Sequence, residues 1–250
     1  MANQPIALSP AGQDGLTVKR LRLGVGIIAA LLPFVVLFGN MLFEHAFVWL
    51  GSISGSYYTQ MRGVFVGSLW AVGVFLIAYR YERLDDIWST IGGFFAILVS
   101  LFPTPPDTPG GITTIQLWVG IVHYVSAGSL FIVLAVFCLY IFAKSGPNAV
   151  RTPQKNTRNL VYRCTGGVIV VAIVAALVIA KAVPASVRDG WNTMFWCETV
   201  AIFAFAIAWL TKGGAFPWWN DPPSGGPAGA DMVGPAPGQP VEKKDVAVTP

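Results

Sequence analysis

The chain has 250 residues, of which 54% are hydrophobic and only 11% are charged, and its mean hydropathy is +0.63. A soluble domain of this length carries about a quarter of its residues as Asp, Glu, Lys and Arg. Because long stretches have almost no charge, the composition indicates an integral membrane protein. The net charge of +4 comes without a basic groove interleaved with aromatic residues, so no nucleic-acid partner is predicted.

The chain begins with a polar segment, 1–20, that ends in a basic cluster at Lys19 and Arg20. The first apolar run, 23–43, is long enough to cross about 30 Å of hydrocarbon as a helix. Basic residues precede it, as in a signal peptide. The run is longer than the apolar core of a signal, and no small-x-small cleavage site follows it, so we predict a retained first helix.

Further apolar runs predict five more helices, with approximate bounds of 61–80, 88–104, 114–142, 160–182 and 193–212. The predicted fold is therefore an all-α, integral membrane six-helix bundle over 21–213. Beyond that point Pro alternates with Gly and Ala, a composition that cannot bury enough apolar surface to order a segment. We predict a disordered C-terminal tail over 214–250.

The distribution of Lys and Arg predicts the orientation of the bundle, because cytoplasmic loops carry an excess of basic residues. The segments on one side of the predicted helices are the basic ones, and their Lys and Arg residues are Lys19, Arg20, Arg22, Arg80, Arg83, Lys144, Arg151, Lys155, Arg158, Lys212, Lys243 and Lys244. The opposite loops carry only Arg62, Lys181 and Arg188. Both termini are therefore expected in the cytoplasm.

Costly polar residues are concentrated toward the opposite, outer face. Glu44 and His45 end the first run there, His123 lies roughly 14 Å below the outer start of the fourth helix, and Glu198 lies roughly 9 Å below that of the sixth. Ionisable groups at such depth tend to face a bundle interior or a cavity. We therefore predict a polar pocket in the outer half. Its candidate ligand-binding residues are Ser52, Ser54, Tyr57, Tyr58, Arg62, His123 and Glu198.

Several roles are open for these residues. Arg62 and Glu198 could form an ion pair, and His123 could donate to the same carboxylate or act as an acid or base. Alternatively, His123 makes a structural bond between helices, Arg62 extends to the interface, and the tyrosines belong to an interfacial aromatic belt.

On the inner side, the mixed-charge turn from Tyr79 to Asp86 is predicted to be a solvated connection. No nucleotide-binding, zinc-protease or nucleophile-elbow motif occurs in the sequence. Two histidines cannot form a three-histidine zinc site, and the three cysteines form no CxxC pair. We predict neither a metal nor another cofactor.

Four segments of the sequence, 52–67, 101–104, 122–124 and 196–198, resemble a family of bacterial six-helix membrane proteins that carries only a domain-of-unknown-function label. A remoter similarity is to the Frag1/DRAM/Sfk1 group, which also has a Ser-containing outer loop before its second helix. The remotest is to the ceramidase and adiponectin-receptor-like hydrolases, whose extra zinc-binding histidines this chain lacks. The resemblance implies a multi-pass protein of the bacterial inner membrane.

We expect a membrane protein, rather than an enzyme, whose outer pocket binds a lipid head group, a small ligand or a partner. One alternative is a membrane-embedded, lipid-modifying hydrolase with His123 and Glu198 as the candidate catalytic residues. Another is a small transporter that functions as an oligomer. The expected partners are membrane lipids, with a further copy of the chain in a homo-oligomer.

Overall fold

The computed structural model describes residues 10–80, 83–106, 111–144 and 152–221. All regular structure in these ranges is helical, which confirms the predicted all-α class. The α-helices are α1 (Pro10–Glu44), α2 (Arg62–Ala78), α3 (Arg83–Leu101), α4 (Thr114–Val136), α5 (Pro153–Ala182), α6 (Ala185–Gly190) and α7 (Thr193–Lys212). Of these, α1, α3, α4, α5 and α7 are long and apolar enough to cross a membrane, and α2 is apolar but shorter.

Two helices begin well before the apolar runs that predicted them. Helix α1 begins at Pro10, inside the polar N-terminal segment, 1–20, that the sequence placed before the first helix. Helix α5 begins at Pro153, where the Thr152 hydroxyl caps it by accepting from the amide of Lys155 at 3.1 Å. Hydropathy marks only the part of a helix that needs an apolar surrounding, whereas a capping residue marks its true start.

The turn between α2 and α3, which the sequence predicts to be a solvated connection on the inner side, is partly buried. Helix α3 begins at Arg83, so Asp85 lies in its first turn, where the helix dipole favours a carboxylate. Asp85 is 4% exposed and Tyr79 only 1%. The prediction is wrong for these two residues, while residues 81–82 lie outside the described part.

The six longer helices form a ring in the order α1, α2, α3, α4, α5 and α7, and α7 returns to pack on α1. Small residues allow the closest of these contacts. A Cβ atom added to Gly93 on α3 would lie 2.5 Å from the carbonyl oxygen of Gly73 on α2. Between α1 and α7, a Cβ atom added to Gly26 would likewise be too close to the side chain of Leu210. Close packing of backbones therefore holds neighbouring helices in register.

Two of the connections at the predicted outer side, those before α2 and before α7, are bent. After α1, His45 adopts a left-handed backbone conformation with φ of 50°, and Ser54–Tyr58 forms a single 3-10 turn. Between α5 and α7 lies the short helix α6, followed by Asn192 with φ of 49°. These turns bring the segment before α2 against the start of α7.

Helix α4 begins and ends with distinct local structure. At its start Thr113 and Gln116 form a reciprocal capping box. At its end the backbone passes into a π-helical turn, Phe137–Ile141, whose Phe137 packs against the buried ring of Trp209 with centroids 5.0 Å apart. This aromatic contact is part of the core at the end of the ring that the sequence predicts to face the cytoplasm.

The segment after α7 is described as far as Asp221. It contains a 3-10 turn, Pro217–Trp219, whose Trp219 carbonyl accepts a hydrogen bond from Arg158 of α5 at 2.5 Å. The rest of the predicted tail, 222–250, lies outside the described residues.

Candidate ligand site

Through its carboxylate, Glu198 binds the segment 45–61 between α1 and α2, which we call the outer loop after its predicted position. The side chain lies in the second turn of α7, where Oε2 accepts from the amides of Ile53 at 2.5 Å and Ser54 at 3.3 Å, and Oε1 accepts from the Ser54 hydroxyl at 2.7 Å. Beside it, the amide of Phe195 donates to the carbonyl of Gly51 at 3.0 Å. Hydrogen bonds to a carboxylate are among the stronger ones in proteins. The carboxylate therefore fixes the loop to the start of α7.

The loop is also fixed within itself and to α3. The Ser52 hydroxyl accepts from the amide of Gly55 at 2.8 Å, and the Ser56 hydroxyl donates to the carbonyl of Ile53 at 2.6 Å. At the far end of the turn, the Tyr58 hydroxyl donates to the carbonyl of Thr104 at 2.5 Å. Partial burial raises the pKa of Tyr58, so the phenol remains a donor at neutral pH. The loop thus bridges the ring from α7 to the end of α3.

His123 lies on α4 and is 2% exposed. Its Nδ1 lies 2.6 Å from the carbonyl oxygen of Phe102. A carbonyl can only accept, so Nδ1 carries the proton. In the neutral imidazole this leaves Nε2 as an acceptor.

His123 and Glu198 both line a cavity of about 80 Å³ inside the helix ring. The polar side chains of the lining are those of His123 and Ser68 and those of Glu198 and Ser54, which hydrogen-bond to each other. The other lining residues come from α1, α2, α3, α4, α7 and the loop, and they are Ile28, Ala29, Leu32, Ile53, Phe65, Leu69, Val72, Val99, Ala127, Leu130, Phe131, Leu134, Ile202 and Phe205. The lining of the cavity is therefore mostly apolar, with a few polar side chains.

The remaining candidate residues lie outside the cavity lining. Arg62 donates from Nε to the carbonyl oxygen of Tyr57 at 2.5 Å, and its guanidinium lies 4.5 Å from the centre of the Tyr57 ring. In the described structure Arg62 forms no ion pair with Glu198, and His123 donates to Phe102 rather than to that carboxylate. Neither of these two possible pairings occurs among the described residues, because backbone and hydroxyl donors of the loop occupy the carboxylate instead.

Two further buried polar residues, on α1 and α7, are absent from the sequence prediction. Asn40 on α1 is 2% exposed and Thr199 on α7 is 5% exposed. In the described part, neither the Asn40 Oδ1 nor the Thr199 Oγ1 has a hydrogen-bond partner. The sequence did contain a signal for Asn40: its side-chain amide lies inside an apolar run, and such a group is costly in hydrocarbon unless it has a role there.

Comparisons with protein-family models, with curated proteins and with solved structures give no significant match to this chain. The described residues contain no group of three or more His, Cys, Asp or Glu side chains that could hold a metal ion. The candidate site therefore has to be interpreted from its own geometry.

Proposed function

We propose that this chain is a six-span protein with both termini in the cytoplasm, and that its cavity binds a small molecule carrying an ammonium group. The distribution of Lys and Arg supports the orientation. Helix α2, with 17 residues, rises roughly 25 Å, which a locally thinned bilayer accommodates. The proposed location, the bacterial inner membrane, rests on the sequence resemblance alone.

One observation carries the proposal for the cavity. A carboxylate, Glu198, and a buried imidazole, His123, line the same mostly apolar cavity. The imidazole has Nε2 as an acceptor, and the carboxylate has one lone-pair site beyond the three that the loop engages. The cavity therefore favours a ligand that donates hydrogen bonds.

The charge of Glu198 narrows the ligand class further. Its hydrogen-bond donors, the amides of Ile53 and Ser54 and the Ser54 hydroxyl, are all neutral. A carboxylate in apolar surroundings is stabilised by an opposite charge as well as by hydrogen bonds. A primary ammonium supplies that charge and three donors. A free amine and an ethanolamine lipid head group share this chemistry.

The size of the cavity limits the part of the ligand that it holds. An engineered cavity of about 150 Å³ accepts benzene, so a cavity of about 80 Å³ suits a ligand, or a part of one, that is smaller than benzene. We expect a short hydrocarbon chain against the apolar lining and the ammonium between Glu198 and His123.

Thermal unfolding in detergent with millimolar n-butylamine tests this proposal. We expect n-butylamine to raise the Tm of the wild-type protein, because a ligand that binds only the folded state at ten times its Kd stabilises it by about 1.4 kcal/mol. The same concentrations of n-butanol and butyrate are the controls. The Glu198→Gln variant should lose the response to the amine.

Two results would oppose the proposal. The first is an equal increase in Tm with n-butylamine in the wild type and in Glu198→Gln. The second is an equal response to n-butanol, which would show that the apolar chain alone binds. To identify the source of the ammonium, the protein is purified with and without ethanolamine lipid, and the two increases in Tm with n-butylamine are compared. A smaller increase in the presence of the lipid would show that its head group competes with n-butylamine.

A second candidate function, a lipid-modifying hydrolase, is favoured by one observation. The Ser54 hydroxyl, the Glu198 carboxylate and the His123 imidazole line the same cavity, and these groups supply a nucleophile, an acid or base, and a base. Membrane lipids of a deletion strain, a His123→Ala strain and a Glu198→Ala strain would be compared with the parent by mass spectrometry. The same lipid accumulating in all three would support an enzyme, whereas unchanged lipids would exclude that function.

A further inference from the structure

Helix α2 contributes one polar residue, Ser68, to the wall of the cavity, and its other lining residues are apolar. Serine and threonine in a helix often donate to a carbonyl of the preceding turn, as Thr211 does to Ile207 at 2.7 Å. In the described part of the chain the Ser68 hydroxyl makes no hydrogen bond, and the residue is half-buried. The hydroxyl, with one donor and two acceptor sites, is therefore available to a molecule in the cavity.

A backbone acceptor without its usual donor lies on α1, at a residue that lines the same cavity. Pro33 is fully buried inside α1 and has no amide hydrogen, so the carbonyl of Ala29, one turn earlier, lacks its helical partner. Ala29 lines the cavity, and no described side chain donates to its carbonyl. Inside a membrane such a carbonyl is costly until a hydroxyl, a water or a ligand donates to it.

The packing of α1 on α2 puts these two groups at the same level. Two contacts define the register of the helices, Gly39 with Met61 and Gly24 with Phe75. Seven residues along α2 from Met61 is Ser68, and seven residues back along α1 from Gly39 is Leu32. Carbonyls of a helix point toward its carboxyl end, so that of Ala29 points toward the level of Leu32. The Ser68 hydroxyl and the Ala29 carbonyl therefore lie at one level of the cavity.

The packing of α1 on α7 gives the level of Glu198. Phe34 of α1 and Phe203 of α7 pack with ring centroids 5.2 Å apart. Five residues from each, in opposite directions along the chain, are Gly39 and Glu198. Because Gly39 also contacts Met61, Glu198 lies at the level of Met61, where the outer loop joins α2.

The rise between these two levels sets the length of a ligand that reaches both. From Met61 to Ser68 the chain advances seven residues, or roughly 10 Å along the helix axis. Hydrogen bonds of about 3 Å at each end leave roughly 4–5 Å between the two polar atoms of the ligand. An extended chain of three carbon atoms separates its end groups by roughly 5 Å.

The surroundings of Ser68 favour a hydroxyl over a charged group. Among the described lining residues the carboxylate is that of Glu198, and none is a lysine or an arginine. A second ammonium would lie in apolar surroundings without a counter-ion, and a ligand carboxylate would be repelled by the Ala29 carbonyl. A hydroxyl donates to that carbonyl and accepts from Ser68.

We propose that Ser68 and the Ala29 carbonyl form a second polar subsite of the cavity, and that the ligand is an amino alcohol with about three carbon atoms between its ammonium and its hydroxyl. The ammonium binds at Glu198, and the hydroxyl binds at Ser68. This inference rests on the amine site proposed above and names the class of its ligand.

Binding of 3-aminopropan-1-ol tests the subsite, because this molecule differs from n-butylamine only by a hydroxyl in place of the terminal methyl group. The Kd of each is obtained from the increase in Tm with ligand concentration in detergent. We expect the wild type to bind the amino alcohol more tightly than n-butylamine. In Ser68→Ala this preference should fall on the order of tenfold, while the Kd of n-butylamine stays unchanged. Alanine favours a helix, so this variant should fold.

Two further variants separate the subsite from a general effect on packing. Pro33→Ala supplies an amide that donates to the Ala29 carbonyl, so it should also lower the preference for the amino alcohol. Ser129→Ala is the matched control, since Ser129 is half-buried on α4 but outside the cavity lining. It should keep the preference of the wild type.

The outcomes distinguish the subsite from the amine site. An unchanged preference in Ser68→Ala, with n-butylamine still bound, would overturn the subsite and leave the amine site standing. Equal binding of 1,3-diaminopropane and the amino alcohol by the wild type would overturn the assignment to a hydroxyl. No response of the wild type to either n-butylamine or the amino alcohol would contradict the amine site itself, and the subsite with it.

Discussion

At the scale of single residues, the cost of a charge in hydrocarbon was enough to select Glu198 and His123 from the sequence. Their partners could not be selected in this way. Glu198 is held by the backbone amides of Ile53 and Ser54, and His123 by the carbonyl of Phe102. Every residue type except proline offers both backbone groups, so composition and spacing carry no trace of such contacts.

The contacts of Glu198 predict that its removal loosens the outer loop. Glu198→Ala leaves the amides of Ile53 and Ser54 without acceptors, so we expect a loss of about 2–3 kcal/mol in unfolding free energy. We also expect faster chymotrypsin cleavage after Tyr57 or Tyr58. Time courses of limited proteolysis in detergent measure this.

Glu44→Ala is the control for this experiment, because Glu44 ends α1 at an exposed position. It should change stability by less than about 0.5 kcal/mol. Equal cleavage rates in Glu198→Ala and the wild type would contradict the anchoring role of the carboxylate.

At the scale of the helices, apolar runs predicted the existence of the long helices well and their ends poorly. The run at 23–43 corresponds to α1, which extends back to Pro10. The run at 88–104 corresponds to α3, which begins and ends earlier, at Arg83 and Leu101. Helix ends depend on capping and on neighbouring helices, neither of which enters a hydropathy profile.

The contact between α2 and α3 predicts a strong difference between two glycines. In Gly93→Leu the new Cβ would meet the carbonyl of Gly73 at 2.5 Å, so the two backbones must separate. We expect the free energy of unfolding to fall by about 1–3 kcal/mol or more, as in overpacked cores. Thermal unfolding and the yield of monodisperse protein measure it.

Gly67→Leu is the matched control, since Gly67 lies on α2 with no atom within 4 Å of an added Cβ. This variant should be neutral or slightly stabilising, because leucine favours a helix more than glycine does. Equal losses in both variants would show that the α2–α3 contact is looser than described.

At the scale of the whole molecule, charge and hydropathy predicted an all-α membrane protein, and helix contacts add the closed ring that encloses the cavity. The sequence indicated a polar outer half but not which helices surround it. Ring order depends on side-to-side packing of helices far apart in the chain, such as α1 with α7. Single-sequence patterns do not encode such pairings.

The proposed topology predicts the accessibility of single cysteines. In a background with Cys138, Cys164 and Cys197 replaced by alanine, Tyr58→Cys should react with a membrane-impermeant maleimide in intact cells. Arg20→Cys should react only after the cells are permeabilised. The opposite pattern would invert the topology, and labelling of both positions in intact cells would contradict an outer loop joined to a cytoplasmic N-terminus.

The central claim is that Glu198 and His123 line a cavity that holds an ammonium group. A density map of the protein purified with n-butylamine tests it most directly. We predict density in the cavity with its polar atom about 3 Å from the Glu198 carboxylate and the outer loop closed above it. Density of the same shape in the Glu198→Gln variant, or a cavity without density in the wild type, would contradict the claim.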